Sequence, residues 1–236
     1  MTDMAVERQI GMLIFPRLTQ LDMTGPYEVL ARLPNTKVHL VAHTLAPVKT
    51  DRGMEIMPSV TYLDCPQLDV VMVPGGPGQQ DLMEDAVALD FLRRQAAGAK
   101  YVTSVCTGSL VLGAAGLLKG RRATCHWAAI EHLRPLGATP VSERVVVDGN
   151  IVTGAGVASG IDFALALAAI LEGEKVAREI QLGIEYDPDP PFNSGSPQTA
   201  SADVLDTLRT RLAPLNAERR ETAQRVGRKL GTAPTS

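Results

Sequence analysis

Cysteine is scarce in this 236-residue chain: Cys65, Cys106 and Cys125 are the three. No secretory signal precedes them. The apolar run Ile10–Phe15 is too short for a signal core, and Glu7 and Arg8 stand directly before it. Free thiols in a reducing cytoplasm are the expectation. No segment has the length of a membrane span. Neither sign of charge dominates: 23 basic and 26 acidic residues leave a formal charge of −3. Nothing here calls for nucleic acid or an anionic membrane as partner. No Gly-x-Gly-x-x-Gly follows the first apolar run, and no Walker phosphate loop occurs. His39, His43, His126 and His132 stand in no familiar zinc spacing. Repeats and low-complexity tracts are also missing.

What remains is a chain 45% hydrophobic, enough for a substantial α/β core. Ile10–Phe15, Lys37–Ala42, Leu68–Val73 and Tyr101–Val105 read as strands, mostly as continuous apolar runs. Ala123–Cys125 and Arg144–Asp148 read as shorter ones, the latter turning at Asp148-Gly149-Asn150 into Ile151–Thr153 as a hairpin. Helices are expected over Thr24–Leu33 (Thr24 as N-cap, Pro26 in the first turn), Gln80–Ala97, Thr107–Leu118, Gly160–Glu172 and Lys175–Tyr186. Strands alternating with helices imply an α/β fold with a mainly parallel sheet covered by helices on both faces. One domain is expected over 8–186. Residues 187–236 then form a Pro-rich arm and a helical tail, interrupted near Pro214, that packs on the domain or on a partner subunit.

In such a sheet, chemistry gathers beyond the carboxyl ends of the strands. Three ends are informative. The fourth strand leads into Ser104-Val105-Cys106-Thr107-Gly108, where small residues two before and two after Cys106 suit a sharp strand-to-helix turn. Helix amides at such a turn favour a thiolate. A reactive thiol and an inert buried cysteine both satisfy this pattern. The first strand leads to Asp22, read as a loop residue that could be a general acid/base or a helix cap. Glu28 is a second carboxylate, one its helix turns elsewhere. The third strand leads to Gly75 and Gly76, whose amides could face developing negative charge. His126 ends a short strand and could line a pocket or be hydrogen-bonded structure.

The stretches Gln20-Leu21-Asp22-Met23-Thr24-Gly25-Pro26, Val73-Pro74-Gly75-Gly76, Thr103-Ser104-Val105-Cys106-Thr107-Gly108-Ser109, Thr124-Cys125-His126-Trp127 and Gly160-Ile161-Asp162-Phe163-Ala164-Leu165, in this order, resemble the ThiJ/PfpI superfamily. Within it, the combination is most similar to members that hydrate isonitriles. The resemblance implies a flavodoxin-like fold and a homodimer, with Cys106 as nucleophile and Asp22 as acid/base. It implies a small-molecule isonitrile as substrate and no cofactor. Thr107 stands where many relatives carry histidine, which argues against the peptidase-like branch and places a hydroxyl near the carboxylate or substrate. Gly154-Ala155-Gly156 replaces a usual Gly-Gly-Gly, and Cys125 a common threonine. A glyoxalase-like lyase and a non-catalytic ligand or redox sensor are the competing readings.

Overall fold

The computed structural model describes residues 7–233. Its strands, in chain order, are β1 (Arg8–Leu13), β2 (Thr36–Ala42), β3 (Val48–Lys49), β4 (Glu55–Ile56), β5 (Val60–Thr61), β6 (Val70–Val73), β7 (Tyr101–Val105), β8 (Arg122–Ala123), β9 (Thr139–Pro140), β10 (Val145–Asp148) and β11 (Ile151–Gly154). Seven of them form the central sheet in the order β10-β11-β7-β6-β1-β2-β5. Every pairing in it is parallel except the β10–β11 hairpin at one edge. The pairs β3–β4 and β8–β9 lie outside it.

The helices are α1 (Gln20–Leu30), α2 (Gln79–Leu82), α3 (Ala86–Gly98), α4 (Gly108–Ala114), α5 (Ser159–Glu172), α6 (Glu174–Gly183) and α7 (Ala202–Leu230), with a 3-10 helix at Ile130–Leu136. One group joins α1, α5 and α6; another joins α2, α4, the 3-10 helix and α7. Fully buried Ile10, Met12, Val70, Val71 and Met72 show why β1 and β6 read as continuous apolar runs: both sheet faces are covered. The chain runs outward from β1 to β2 and β5, then crosses back to β6 on the other side of β1. The switch point of the fold therefore lies between β1 and β6, where the strand ends open a crevice.

Several elements differ from expectation. Helix α1 begins at Gln20, not Thr24, so Thr24 is no cap; its hydroxyl donates to Gln20 Oε1 at 2.7 Å within the helix. Pro26 sits mid-helix, where it deprives the Asp22 carbonyl of its intrahelical donor. Gly25 and Pro26 mark a close crossing instead: a Cβ on Gly25 would meet Ile161 Cγ1 at 3.3 Å, and one on Gly160 would meet Pro26 Cδ at 3.1 Å. The expected Gln80–Ala97 helix is two, because Asp85 accepts from the Val87 and Ala88 amides and starts α3 afresh. Helix α4 stops at Ala114, and Gly116 follows at φ +80°. Helix α7 runs unbroken through exposed Pro214.

Candidate active site

Three adjacent central strands, β7, β6 and β1, deliver Cys106, the Gly75-Gly76 turn and Asp22 to one end of the sheet. Cys106 occupies the turn between β7 and α4 with φ +57°, a left-handed conformation that non-glycine residues seldom adopt and that costs roughly 1 kcal/mol or more. Its amide donates to the Gly154 carbonyl at 3.1 Å, which ties the elbow to β11. Gly108 is required two residues on: a Cβ there would collide with the Val73 carbonyl oxygen and approach Pro74 O to 2.8 Å. Ser104 and Ser109 hydroxyls meet at 2.8 Å, and Ser109 donates to the Thr124 carbonyl at 2.7 Å. The strain at Cys106 is thus held from both sides.

Asp22 is a correction to the sequence reading. It is not on a loop but in the first turn of α1, and it is fully buried. Its Oδ2 accepts from the Gly75 amide at 2.9 Å. Its Oδ1 is buried with no hydrogen-bond partner of good geometry, and the Cys106 thiol is the neighbouring donor. Burial raises its pKa from 3.8 to about 7, against the lowering influence of Cys106 and the Gly75 amide. Glu28 points away, exposed and paired with Arg32 at 2.6 Å.

The thiol departs from expectation too. The Thr107 amide does favour a thiolate, but burial and the Asp22 charge outweigh it, so the Cys106 pKa lies well above the ordinary 9.0. At neutral pH the pair is a thiol beside a half-ionised carboxyl. Cys125 is pushed up to about 12 and Cys65 to about 11, both first by burial. All three cysteines are free.

The glycine turn was expected to offer two unhindered amides. Both are occupied: Gly75 by Asp22, and Gly76 by Thr107 Oγ1 at 3.1 Å. A Cβ on Gly75 would lie 2.5 Å from the Thr107 nitrogen and 2.8 Å from Asp22 Oδ2. The turn therefore clamps the carboxylate and Thr107 against the elbow.

His126 is half-buried, and burial followed by the charge of Arg219 lowers its pKa to about 4, so the ring is neutral at physiological pH. It lines a cavity of about 640 Å³ together with Cys125, Trp127, Gly156, Ser196 and Arg209. Cys106, 5% exposed, is not among the residues that line that cavity; Cys125, which acts on the Cys106 thiol, is. Among the described residues no three His, Cys, Asp or Glu side chains are grouped as a metal ion requires. No helix among them is long and apolar enough to cross a membrane.

Sequence reasoning missed Arg219 of α7. It is 5% exposed, and its Nε donates to buried Gln79 Oε1 at 3.0 Å. A signal was there: Arg219, Thr222, Ala223, Val226 and Gly227 form the spaced stripe of a buried helix face within a charged tail.

Residues 8–170 match the DJ-1/PfpI family. The chain is 57% identical over 222 residues to an isonitrile hydratase of Pseudomonas putida, covering 94% of this chain and 97% of that protein. It is 28% identical to the glutathione-independent glyoxalase DJR-1.2 of Caenorhabditis elegans, over 72% of this chain and 92% of that one. A crystal structure of a ThiJ/PfpI family protein from Pseudomonas syringae superposes with a TM-score of 0.91 at 44% identity, covering 92% and 90% of the two chains.

Proposed function

The chain belongs to the DJ-1/PfpI family, and from this footing we propose that it is an enzyme that adds water to an isonitrile, giving an N-substituted formamide. The observation that carries the reading is the strained elbow of Cys106 beside the buried Asp22 carboxyl, in a chain 57% identical to an isonitrile hydratase over nearly its whole length.

The isonitrile carbon is terminal and takes both a nucleophile and a proton. Asp22, with a pKa near 7, accepts the Cys106 proton as sulfur bonds that carbon. It then returns the proton to the same carbon, leaving an N=CH–S thioimidate. Water adds to this carbon, and one of its protons passes through Asp22 to nitrogen. The C–S bond breaks as the remaining hydroxyl proton travels through Asp22 to sulfur. The formamide leaves and the thiol is restored. Thr107 and Gly76 hold the turn that orients Gly75, and Gly75 fixes Asp22. His126, neutral, lines the cavity for the R group. The same reading makes the protein a cytoplasmic homodimer, with all three thiols reduced.

The test is incubation with a small isonitrile in oxygen-18 water. Labelled formamide, lost in Cys106→Ala, is the expected result. Turnover of glyoxal without turnover of any isonitrile would replace this reading with the glyoxalase one.

A further inference from the structure

Helix α7 lies outside the span matched by the family, yet it packs against α4, the helix that follows the elbow. It docks through Arg225, which donates to Glu84 at 3.0 and 2.6 Å, and through Thr222, which accepts from Gln80 Nε2 at 3.4 Å. Gly227 brings its backbone against the Pro135 carbonyl, where no Cβ would fit. That docking drives Arg219 into the interior. Among the described residues its side-chain hydrogen-bond partners are neutral: Gln79 Oε1 at 3.0 Å and Asn216 Oδ1 at 3.3 Å. No carboxylate among the described residues pairs with it, although burying an uncompensated guanidinium is costly.

Hydrogen bonds joined through the Gln79 and Gly76 residues link this guanidinium to the site. Arg219 donates to the Gln79 side-chain Oε1 at 3.0 Å, the Gln79 backbone N–H donates to the Gly76 carbonyl at 3.1 Å, and the Gly76 N–H donates to Thr107 Oγ1 at 3.1 Å. The next amide, that of Gly75, holds Asp22. Thr107 in turn follows Cys106 at the start of α4.

We propose that Arg219 is a positioning residue of the active site, which fixes the glycine turn through Gln79 and supplies the positive charge that compensates sulfur as Cys106 loses its proton. The uncompensated charge is thereby explained: its counter-charge is transient and arises on the nucleophile. Cys106 is otherwise faced by Asp22 from α1 and by Cys125 after β8, both of which oppose ionisation, and by the Thr107 amide, which favours it. Arg219 is itself faced by Cys125 and Cys106, and it acts on His126 and on His132 of the 3-10 helix, where its neighbour Arg220 acts as well. Both histidines are held below the usual histidine range, so neither brings a competing positive charge at neutral pH.

The inference rests on Cys106 being the reactive thiol, not on the identity of its substrate, so the experiment uses no isonitrile. Alkylation of Cys106 by iodoacetamide is followed by mass spectrometry across pH in wild type, R219K and R219Q. R219Q is expected to slow alkylation at pH 7 about tenfold and to move the profile upward by about one pH unit. R219K, which keeps the charge, is expected to hold the wild-type profile to within about twofold. A folded R219Q with the wild-type profile overturns the proposal, and so does an R219K as impaired as R219Q. Should R219Q fail to fold, Q79L releases the guanidinium from its tether; slower alkylation of Cys106 supports the proposal and an unchanged rate overturns it.

Discussion

In the proposed mechanism, Asp22 is where stability and chemistry oppose each other. An unfolded carboxyl near 3.8 is charged from about pH 5 upward, whereas the folded one near 7 still holds its proton there. The folded state binds the extra proton, so the Asp22 contribution to stability falls as pH rises from 3.8 to about 7 and is constant above. Asp22→Asn removes this titration while an amide oxygen still accepts from Gly75. The variant is expected to unfold like wild type below about pH 4 and to be more stable above pH 7, by up to roughly 4 kcal/mol. Denaturant titrations at several pH values measure this; a pH-independent difference would contradict it. The same variant is expected to lose turnover, because an amide cannot relay the proton. In wild type, kcat/KM is expected to rise through about pH 7 as Asp22 ionises, and to stay level until the Cys106 thiol ionises well above 9. Cys106→Ser is expected to abolish turnover, while Cys65→Ala and Cys125→Ala retain most of it, since neither side chain sits at an elbow.

At the scale of elements, the turn between β7 and α4 sets Cys106, the proposed nucleophile, and Gly108 makes that turn possible. Gly108→Ala must push the elbow off the Val73 carbonyl, at a cost of about 1–3 kcal/mol or more. Slow alkylation of Cys106 and a lowered unfolding temperature are the expected readouts. Gly183→Ala at the end of α6 is the control: no atom lies within 4 Å of its Cβ, and the expected change is a gain of about 0.4–1 kcal/mol. The elbow was legible in the sequence because small residues flank Cys106 at fixed offsets. The hairpin was legible because Asp148-Gly149-Asn150 is local turn chemistry. The start of α1 was not. Gly25-Pro26 resembles a helix beginning, but here it serves the tight crossing with α5, a tertiary demand that sequence spacing does not encode. Asp22 was misplaced onto a loop for the same reason. The strands β3, β4, β5 and β9 are two residues each, too short to carry a period.

The molecule as a whole decides what surrounds the chemistry. The cavity in front of Cys125 and His126 draws its walls from segments far apart in the chain: residues 124–130, 142–144, 155–159, the arm at 195–198, and Arg209 of α7. No single motif could announce such a cavity, and the arm read only as a Pro-rich extension. In the proposed mechanism the isonitrile carbon reaches Cys106 while the R group occupies this cavity, whose wall includes Cys125, a neighbour of the Cys106 thiol. Trp127 is the largest side chain that lines it, and its ring is tilted against His126 at 5.6 Å between centroids. Contact with the R group is made equally before and after the carbon reacts, so its loss weakens binding and spares the chemical step. Trp127→Ala is therefore expected to raise KM about tenfold for a ring-bearing isonitrile, with kcat nearly unchanged. For methyl isonitrile, whose R group is too small to reach the indole, both constants are expected to stay near wild type. Equal losses for the two substrates would mean that Trp127 holds the fold of the 124–130 segment and not the substrate. A fall in kcat alone would place the R group outside this cavity.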